Sequence, residues 1–218
     1  MKQYKKDFIT AALDNNVLQF GDFTLKSGRK SPYFFNTGHF DSGSTLALLG
    51  KAYASAIVDH DLEFEILFGP AYKGIPIASA VAMAMFNEYN IDISFCFNRK
   101  EPKDHGEGGI TFGADLAGQA LIIDDVISAG TSVRESHELI SETGAKLAGI
   151  CVALDRQEKG SGHLSAIQEV ATRYNVPVIS IISLADIMEF VRGAKEYTEN
   201  IEVIRQYQKD YGLSLIHI

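Results

Sequence analysis

Cysteine is scarce in this 218-residue chain, which has two, Cys96 and Cys151. Both sit inside apolar runs, "ISFCFN" and "GICVAL". A thiol there behaves as a small buried hydrophobe, so no disulfide framework is expected. Positive charge is also in short supply, with 20 lysines and arginines against 28 acids and a net charge of −8. General binding to nucleic acid or to an anionic membrane favours the opposite balance, and neither partner is expected. No apolar run approaches the ~18 residues that a membrane helix needs. The opening "MKQYKKDFITAALDNN" lacks the apolar centre and small-residue cleavage site of a secretory leader. Repeats and low-complexity linkers are missing too, so nothing divides the chain. These absences point to a cytoplasmic protein whose residues 1–218 form a single domain.

What is present has the balance of an ordinary globular protein, 46% hydrophobic and 22% charged. Helical spacing of Tyr4, Phe8, Ile9, Ala12 and Leu13 predicts an amphipathic helix over roughly 3–19. Residues 20–40 are aromatic and Gly-punctuated, which predicts an antiparallel hairpin. A helix is predicted over 43–59. Strands (65–69, 92–98, 119–125, 146–155, 177–184) then alternate with helices (74–89, 131–145, 164–175), and further helices close the chain. In 131–145, Thr131 or Ser132 reads as the N-cap and Gly144 as the stop. Continuously Val/Ile/Leu-rich strands alternating with helices predict an α/β fold, doubly wound, with a mostly parallel central sheet. The first 40 residues add a helix and hairpin as a hood. Residues 99–115, "RKEPKDHGEGGITFGAD", fit no element and read as a functional lid loop.

The run "LIIDDVISAGTS" (121–132) places Asp124 and Asp125 side by side at a strand end, just before a Gly-bearing turn into a helix. In open parallel sheets, ligands bind outside the carboxyl ends of the strands. A turn that feeds a helix N-terminus offers free N–H groups to an anion, most commonly phosphate. Acids beside that site would repel the ligand unless they faced its hydroxyls or a divalent cation. A phosphorylated sugar satisfies both conditions, with Asp124 and Asp125 as ionised acceptors for ribose hydroxyls. Two other readings remain open at this point: a solvated acid pair at a strand end, and a receiver-type metal pair. The latter pair normally follows the first strand and lacks the "ISAGTS" turn.

The same run resembles the phosphoribosyl pyrophosphate signature of the type I phosphoribosyltransferases. Nearly the whole chain is similar to the bacterial branch of the orotate phosphoribosyltransferases. "LKSGRKSPYFFN" (25–36), "GPAYKG" (69–74), "NRKEPKDHGEGG" (98–109) and "LDRQE" (154–158) stand in that family's order and spacing. The resemblance implies transfer of a 5-phosphoribosyl group from phosphoribosyl pyrophosphate to orotate. The products would be orotidine 5′-monophosphate and pyrophosphate. It further implies Mg²⁺ held mainly through the pyrophosphate without direct protein ligation, and a homodimer whose lid closes over the neighbouring subunit's site.

Carried onto matching positions, the resemblance implies a catalytic set of Lys103, His105, Asp124 and Asp125. Phosphoribosyl pyrophosphate would meet those four residues together with Lys26, Tyr72, Lys73, Arg99 and Lys100. It would also meet the turn formed by Val126, Ile127, Ser128, Ala129, Gly130, Thr131 and Ser132. Orotate would meet Phe34, Phe35, Ser128 and Arg156, one phenyl ring giving a stacking face and the guanidinium matching a planar carboxylate. Ser128 stands where many relatives carry threonine, which keeps the hydroxyl. The tail "GLSLIHI" matches no motif. Two alternatives stay open: a phosphoribosyltransferase for another base, and a non-catalytic sensor of phosphoribosyl pyrophosphate.

Overall fold

The computed structural model describes residues 1–25, 28–103, 109–127, 130–160, 162–192 and 197–213, with the backbone alone at 102, 103 and 109. Helix α1 (Gln3–Asp14) buries Phe8, Ile9, Ala11 and Ala12. It stops well short of the predicted residue 19, because Asn16 turns left-handed at φ 56°. The apolar Val17 and Leu18 that prolonged the helical pattern lead instead into strand β1 (Leu18–Thr24). Antiparallel pairing with β2 (Lys30–Phe35) makes the expected hairpin, followed by a short 3₁₀ turn at Thr37–His39. Helix α2 (Gly43–Asp59) matches its predicted span and starts on a reciprocal cap between Ser42 and Thr45.

The alternating region follows as β3 (Ile66–Gly69), α3 (Gly74–Tyr89), β4 (Ser94–Lys103), β5 (Gly109–Gly113), β6 (Gln119–Ile123), α4 (Thr131–Glu142), β7 (Lys146–Asp155), α5 (Ala166–Tyr174) and β8 (Val178–Ser183), before α6 (Leu184–Val191) and α7 (Thr198–Tyr211). The strands join in the order β5-β4-β3-β6-β7-β8. Every pairing is parallel except β4 with β5. That antiparallel edge corrects the reading of 99–115 as structureless, since β4 runs on to Lys103 and β5 returns from Gly109.

Strand alternation divides the core in two. Leu67, Leu121, Ile123, Cys151 and Ala153 face the layer formed by α1, α2, α3 and α6. Their neighbours Ile66, Phe68, Ala120, Ile122, Ile150 and Val152 face α4 and α5. Both faces are therefore covered, as a doubly wound sheet requires. Leu121 and Ile122 are 0% exposed, so truncating either to alanine costs about 2–5 kcal/mol. The chain leaves β3 to build β4 on one side and β6 on the other, so the order reverses between β3 and β6. A crevice opens at such a reversal, outside the carboxyl ends of the two strands.

Candidate active site

Two turns flank the crevice. The first, between β3 and α3, is the Gly69–Gly74 stretch. A side chain at Gly69 would collide with the Gly74 carbonyl, and one at Gly74 would lie 2.9 Å from the Ile123 carbonyl. Glycine at both ends therefore lets the turn fold down against β6. The Ala71–Tyr72 peptide is cis, and the Ala71 N–H donates to Asn98 Oδ1 at 2.7 Å, tying the turn to β4. Tyr72 is 71% exposed at the crest of the turn.

The second turn carries the acids. Asp124 and Asp125 are only 8% and 9% exposed, which rules out the solvated-edge reading. Their surroundings differ. Asp125 Oδ2 accepts from Lys73 Nζ at 2.5 Å and from Thr37 Oγ1 at 3.1 Å, while Oδ1 accepts from the Val126 N–H at 2.8 Å. Asp124 has neutral donors: Ser132 Oγ on Oδ2 and the Asp125 N–H on Oδ1, both at 2.8 Å. Burial, and then the charge of Asp125, push the Asp124 carboxyl up from 3.8 to about 6. Ionising Asp124 therefore costs more than ionising an exposed carboxyl, a penalty set by its burial and by the neighbouring Asp125. The fully buried Tyr53 on α2 fixes the same corner by donating its hydroxyl to the Asp124 carbonyl at 2.6 Å.

Gly130, left-handed at φ 69°, is the N-cap of α4, not Thr131 or Ser132. No side chain caps this end, and Ser132 spends its hydroxyl on Asp124 instead. The first-turn amides, with the positive end of the helix dipole, thus face the crevice and suit an anion. A cavity of about 260 Å³ is lined by Pro70, Ala71, Asn98, Lys100, Thr131, Ser132, Glu135 and Ser136. It joins the two turns to the end of β4. A larger open cleft of about 470 Å³, lined by Met1, Lys2, Lys5, Asp59, His60 and Asp186, contains none of the motif residues. Val126 and Ile127 pack their side chains against the two cores, leaving the backbone to face a ligand.

Arg156 follows β7, next to the strand end that carries Asp125, whose carbonyl accepts the Ala153 N–H at 2.9 Å. Its guanidinium binds Glu158 and Ser31 and stacks on the Tyr33 ring. Phe34 and Phe35, adjacent in β2, point to opposite faces of the ribbon. Phe34 stacks on Phe23 at 5.4 Å and 26°, whereas Phe35 packs towards Phe8 and the core. Arg99 lies over the Phe112 ring at 5.3 Å.

Hydrogen bonds and the shared cavity bring together Lys73, Lys100, Asp124, Asp125, Thr131 and Ser132. Lys26, His105, Ser128, Ala129 and the Lys103 side chain lie outside the described residues. Thr37, Tyr53, Asn98 and Glu158 are hydrogen-bonded to residues of these motifs, and the sequence motifs assigned none of the four a role. Three of them act across the chain, over 88 residues for Thr37, 71 for Tyr53 and 27 for Asn98, whereas Glu158 lies two residues from Arg156.

Comparison with known proteins agrees with this geometry. The family model described as "Phosphoribosyl transferase domain" matches residues 40–173. The orotate phosphoribosyltransferase of Shigella dysenteriae is 54% identical over 213 residues, covering 98% of this chain and 100% of the relative. The enzyme of that name from Escherichia coli K12 is equally similar, at 54% with the same coverage. The crystal structure of orotate phosphoribosyltransferase from Francisella tularensis superposes with a TM-score of 0.86 at 42% identity, over 94% of this chain and 98% of that one.

Proposed function

The chain belongs to the phosphoribosyltransferase family, in its orotate branch, and from that premise we propose how its crevice joins orotate to phosphoribosyl pyrophosphate. The products are orotidine 5′-monophosphate and pyrophosphate, in the formation of pyrimidine nucleotides. One observation carries the reading: a buried acid pair stands beside an uncapped helix N-terminus at the sheet's reversal point. The 5-phosphate suits the α4 amides and the 126–132 turn, including Ser128, Ala129, Gly130, Thr131 and Ser132. Asp124 and Asp125 are placed to accept from the ribose hydroxyls, and Lys73, now on Asp125, would be exchanged for one of them. Lys73 would then join Lys26, Tyr72, Arg99, Lys100, Lys103 and His105 around the pyrophosphate. Phe34 gives orotate a stacking face with Phe35 behind it, and Arg156 gives its carboxylate a guanidinium fork.

No side-chain nucleophile is needed, because a pyrimidine nitrogen attacks the anomeric carbon as the C–O bond to pyrophosphate breaks. Positive charge builds on the ribose near the two acids, and negative charge builds on the leaving group near Lys103 and His105. The protein's contribution is positioning and electrostatic stabilisation. Among the described residues no cluster of three or more His, Cys, Asp or Glu could hold a metal. The two carboxylate donors fit Mg²⁺ that arrives on the pyrophosphate and takes most of its ligands from phosphate and water. Bound in that way, Mg²⁺ would neutralise charge on the leaving group.

A homodimer with a shared lid is part of the proposal, supported by the family and by an exposed apolar face on α3 where Met83 and Phe86 are 66% and 53% exposed. Among the described residues no helix is long and apolar enough to cross a membrane, and a cytoplasmic location is proposed. The test is a spectrophotometric assay offering orotate, uracil, adenine and hypoxanthine separately with phosphoribosyl pyrophosphate and Mg²⁺. Consumption of orotate alone supports the reading, while use of a purine in its place overturns it.

A further inference from the structure

The carboxylate of Glu158, which the reaction chemistry above leaves unused, stands at the centre of a cluster of polar side chains around Arg156. Its Oε1 accepts from Arg156 Nε at 2.9 Å and from the Tyr33 hydroxyl at 2.8 Å, and it lies 2.8 Å from Arg156 Nη2 in an ion pair. Its Oε2 accepts from Arg29 Nη1 at 3.1 Å. The Glu158 side chain is only 10% exposed. Arg156 also donates from Nη2 to Ser31 Oγ at 3.1 Å, and its guanidinium carbon lies 4.2 Å from the centroid of the Tyr33 ring. The plane of the guanidinium is therefore held from its edge and from its face.

Helix α7 clamps the backbone that carries this acid. The Lys159 N–H donates to the Tyr211 carbonyl at 2.8 Å, and the Leu213 N–H donates to the Gln157 carbonyl at 3.1 Å. Arg29 is seated 4.5 Å from the centroid of the Tyr211 ring.

The geometry points to Glu158 as a positioning residue for Arg156, holding its guanidinium so that the fork meets the orotate carboxylate already oriented. This rests on the reading that Arg156 binds that carboxylate. A freely rotating arginine gives up side-chain entropy when it clamps a ligand, and a tethered one has given it up on folding. An acid beside the arginine would ordinarily weaken its pull on an anionic ligand. Here two guanidiniums share one carboxylate, so the cluster keeps one positive charge in excess. Arg29 thus lets Glu158 act as an anchor without cancelling the attraction.

The experiment is steady-state kinetics of wild type, Glu158→Gln, Arg156→Lys and the double variant, each substrate varied with the other saturating. Glutamine keeps the length of the side chain but turns one acceptor into a donor, so one of the two arginines meets an N–H. The expected result for Glu158→Gln is a rise of about tenfold in the KM for orotate, the size set by one lost charge-assisted hydrogen bond. The KM for phosphoribosyl pyrophosphate should change less than twofold, and kcat less than threefold. In the double variant the KM for orotate should not exceed that of Arg156→Lys, because Glu158 acts through Arg156.

An unchanged or lowered KM for orotate in Glu158→Gln overturns the proposal, as does an equal rise in both KM values. If Arg156→Lys leaves the KM for orotate unchanged, the assignment of Arg156 to the carboxylate has failed, and the positioning proposal with it. Should Glu158→Gln not fold, Tyr33→Phe replaces it, since it removes one donor to Glu158 and keeps the ring under Arg156. That variant should raise the KM for orotate two- to threefold, and no change would overturn the proposal.

Discussion

Replacing Asp124 with asparagine should make the protein more stable and less active, and both effects follow from the burial of this acid. Burial and the charge of Asp125 raise its carboxyl from 3.8 to about 6. A shift of that size corresponds to about 3 kcal/mol of preference for the neutral form. Because the folded-state value is the higher, the favourable contribution of this group is fully present below pH 3.8 and is lost as pH rises through 6. The whole cost therefore stands at pH 7.5. Asparagine removes the charge and can still accept from the Asp125 N–H while donating to Ser132 Oγ.

The expected gain for Asp124→Asn at pH 7.5 without substrates is about 3 kcal/mol, or about 6–12 °C in Tm for a chain of this size. At pH 4, where wild-type Asp124 holds its proton, the two melting temperatures should nearly coincide. Turnover should fall about hundredfold or more, since an acceptor facing the developing positive charge has been neutralised. Thermal melts across pH 4–8, with an activity assay on the same preparations, provide the check. Equal melting temperatures at pH 7.5, or a lower one for the variant, would refute the argument that the acid is kept charged at a cost to the fold.

Lys103→Ala should lower kcat by about 10²–10³ with a smaller effect on KM, because the stabilisation it supplies grows as pyrophosphate leaves; unchanged kcat with only a raised KM would reassign the residue to ground-state binding. Asn98→Ala removes the 2.7 Å bond that ties Ala71 to β4, and a loss of about 1 kcal/mol should appear as a roughly fivefold rise in the KM for phosphoribosyl pyrophosphate, with that for orotate unaffected. A shared lid means that Lys103→Ala and Asp125→Asn subunits, each nearly inactive, regain part of the wild-type rate when mixed and allowed to exchange. Absence of recovery after demonstrated exchange would place each site within one subunit.

Local pattern made much of the architecture legible. Helices α2 and α3 matched their predicted spans because local signals agree there: a capping box and an apolar face in α2, and in α3 a run of small and apolar residues between Gly74 and a left-handed Asn90. Disagreement arose where a non-local interaction overrode a local signal. Val17 and Leu18 continue the helical spacing of α1, yet pairing with β2 claims Leu18 for the hairpin. The charged, Gly-rich 99–115 stretch looked structureless, but pairing of β4 with β5 orders both of its flanks. Thr131 and Ser132 are better N-cap residues than glycine in isolation, and the demand of buried Asp124 for a hydroxyl outweighs that preference.

The site divides in the same way. Motif residues such as Asp124, Asp125 and Lys73 could be read from their neighbours in sequence. Their supports could not: Asn98 reaches Ala71 across 27 residues, and Tyr33 reaches Glu158 across 125. Nor did the sequence distinguish the two acids, since the difference comes from Lys73 and Thr37 reaching one of them alone.

The most direct test of the central claim is a product balance. Purified protein, orotate, phosphoribosyl pyrophosphate and Mg²⁺ are combined, and orotate loss, nucleotide formation and pyrophosphate release are followed together. One orotidine 5′-monophosphate and one pyrophosphate are expected for each orotate consumed, with the rate falling about hundredfold or more in Asp125→Asn. Orotate that persists while phosphoribosyl pyrophosphate is bound or hydrolysed would contradict the claim, as would a full rate in the Asp125 variant.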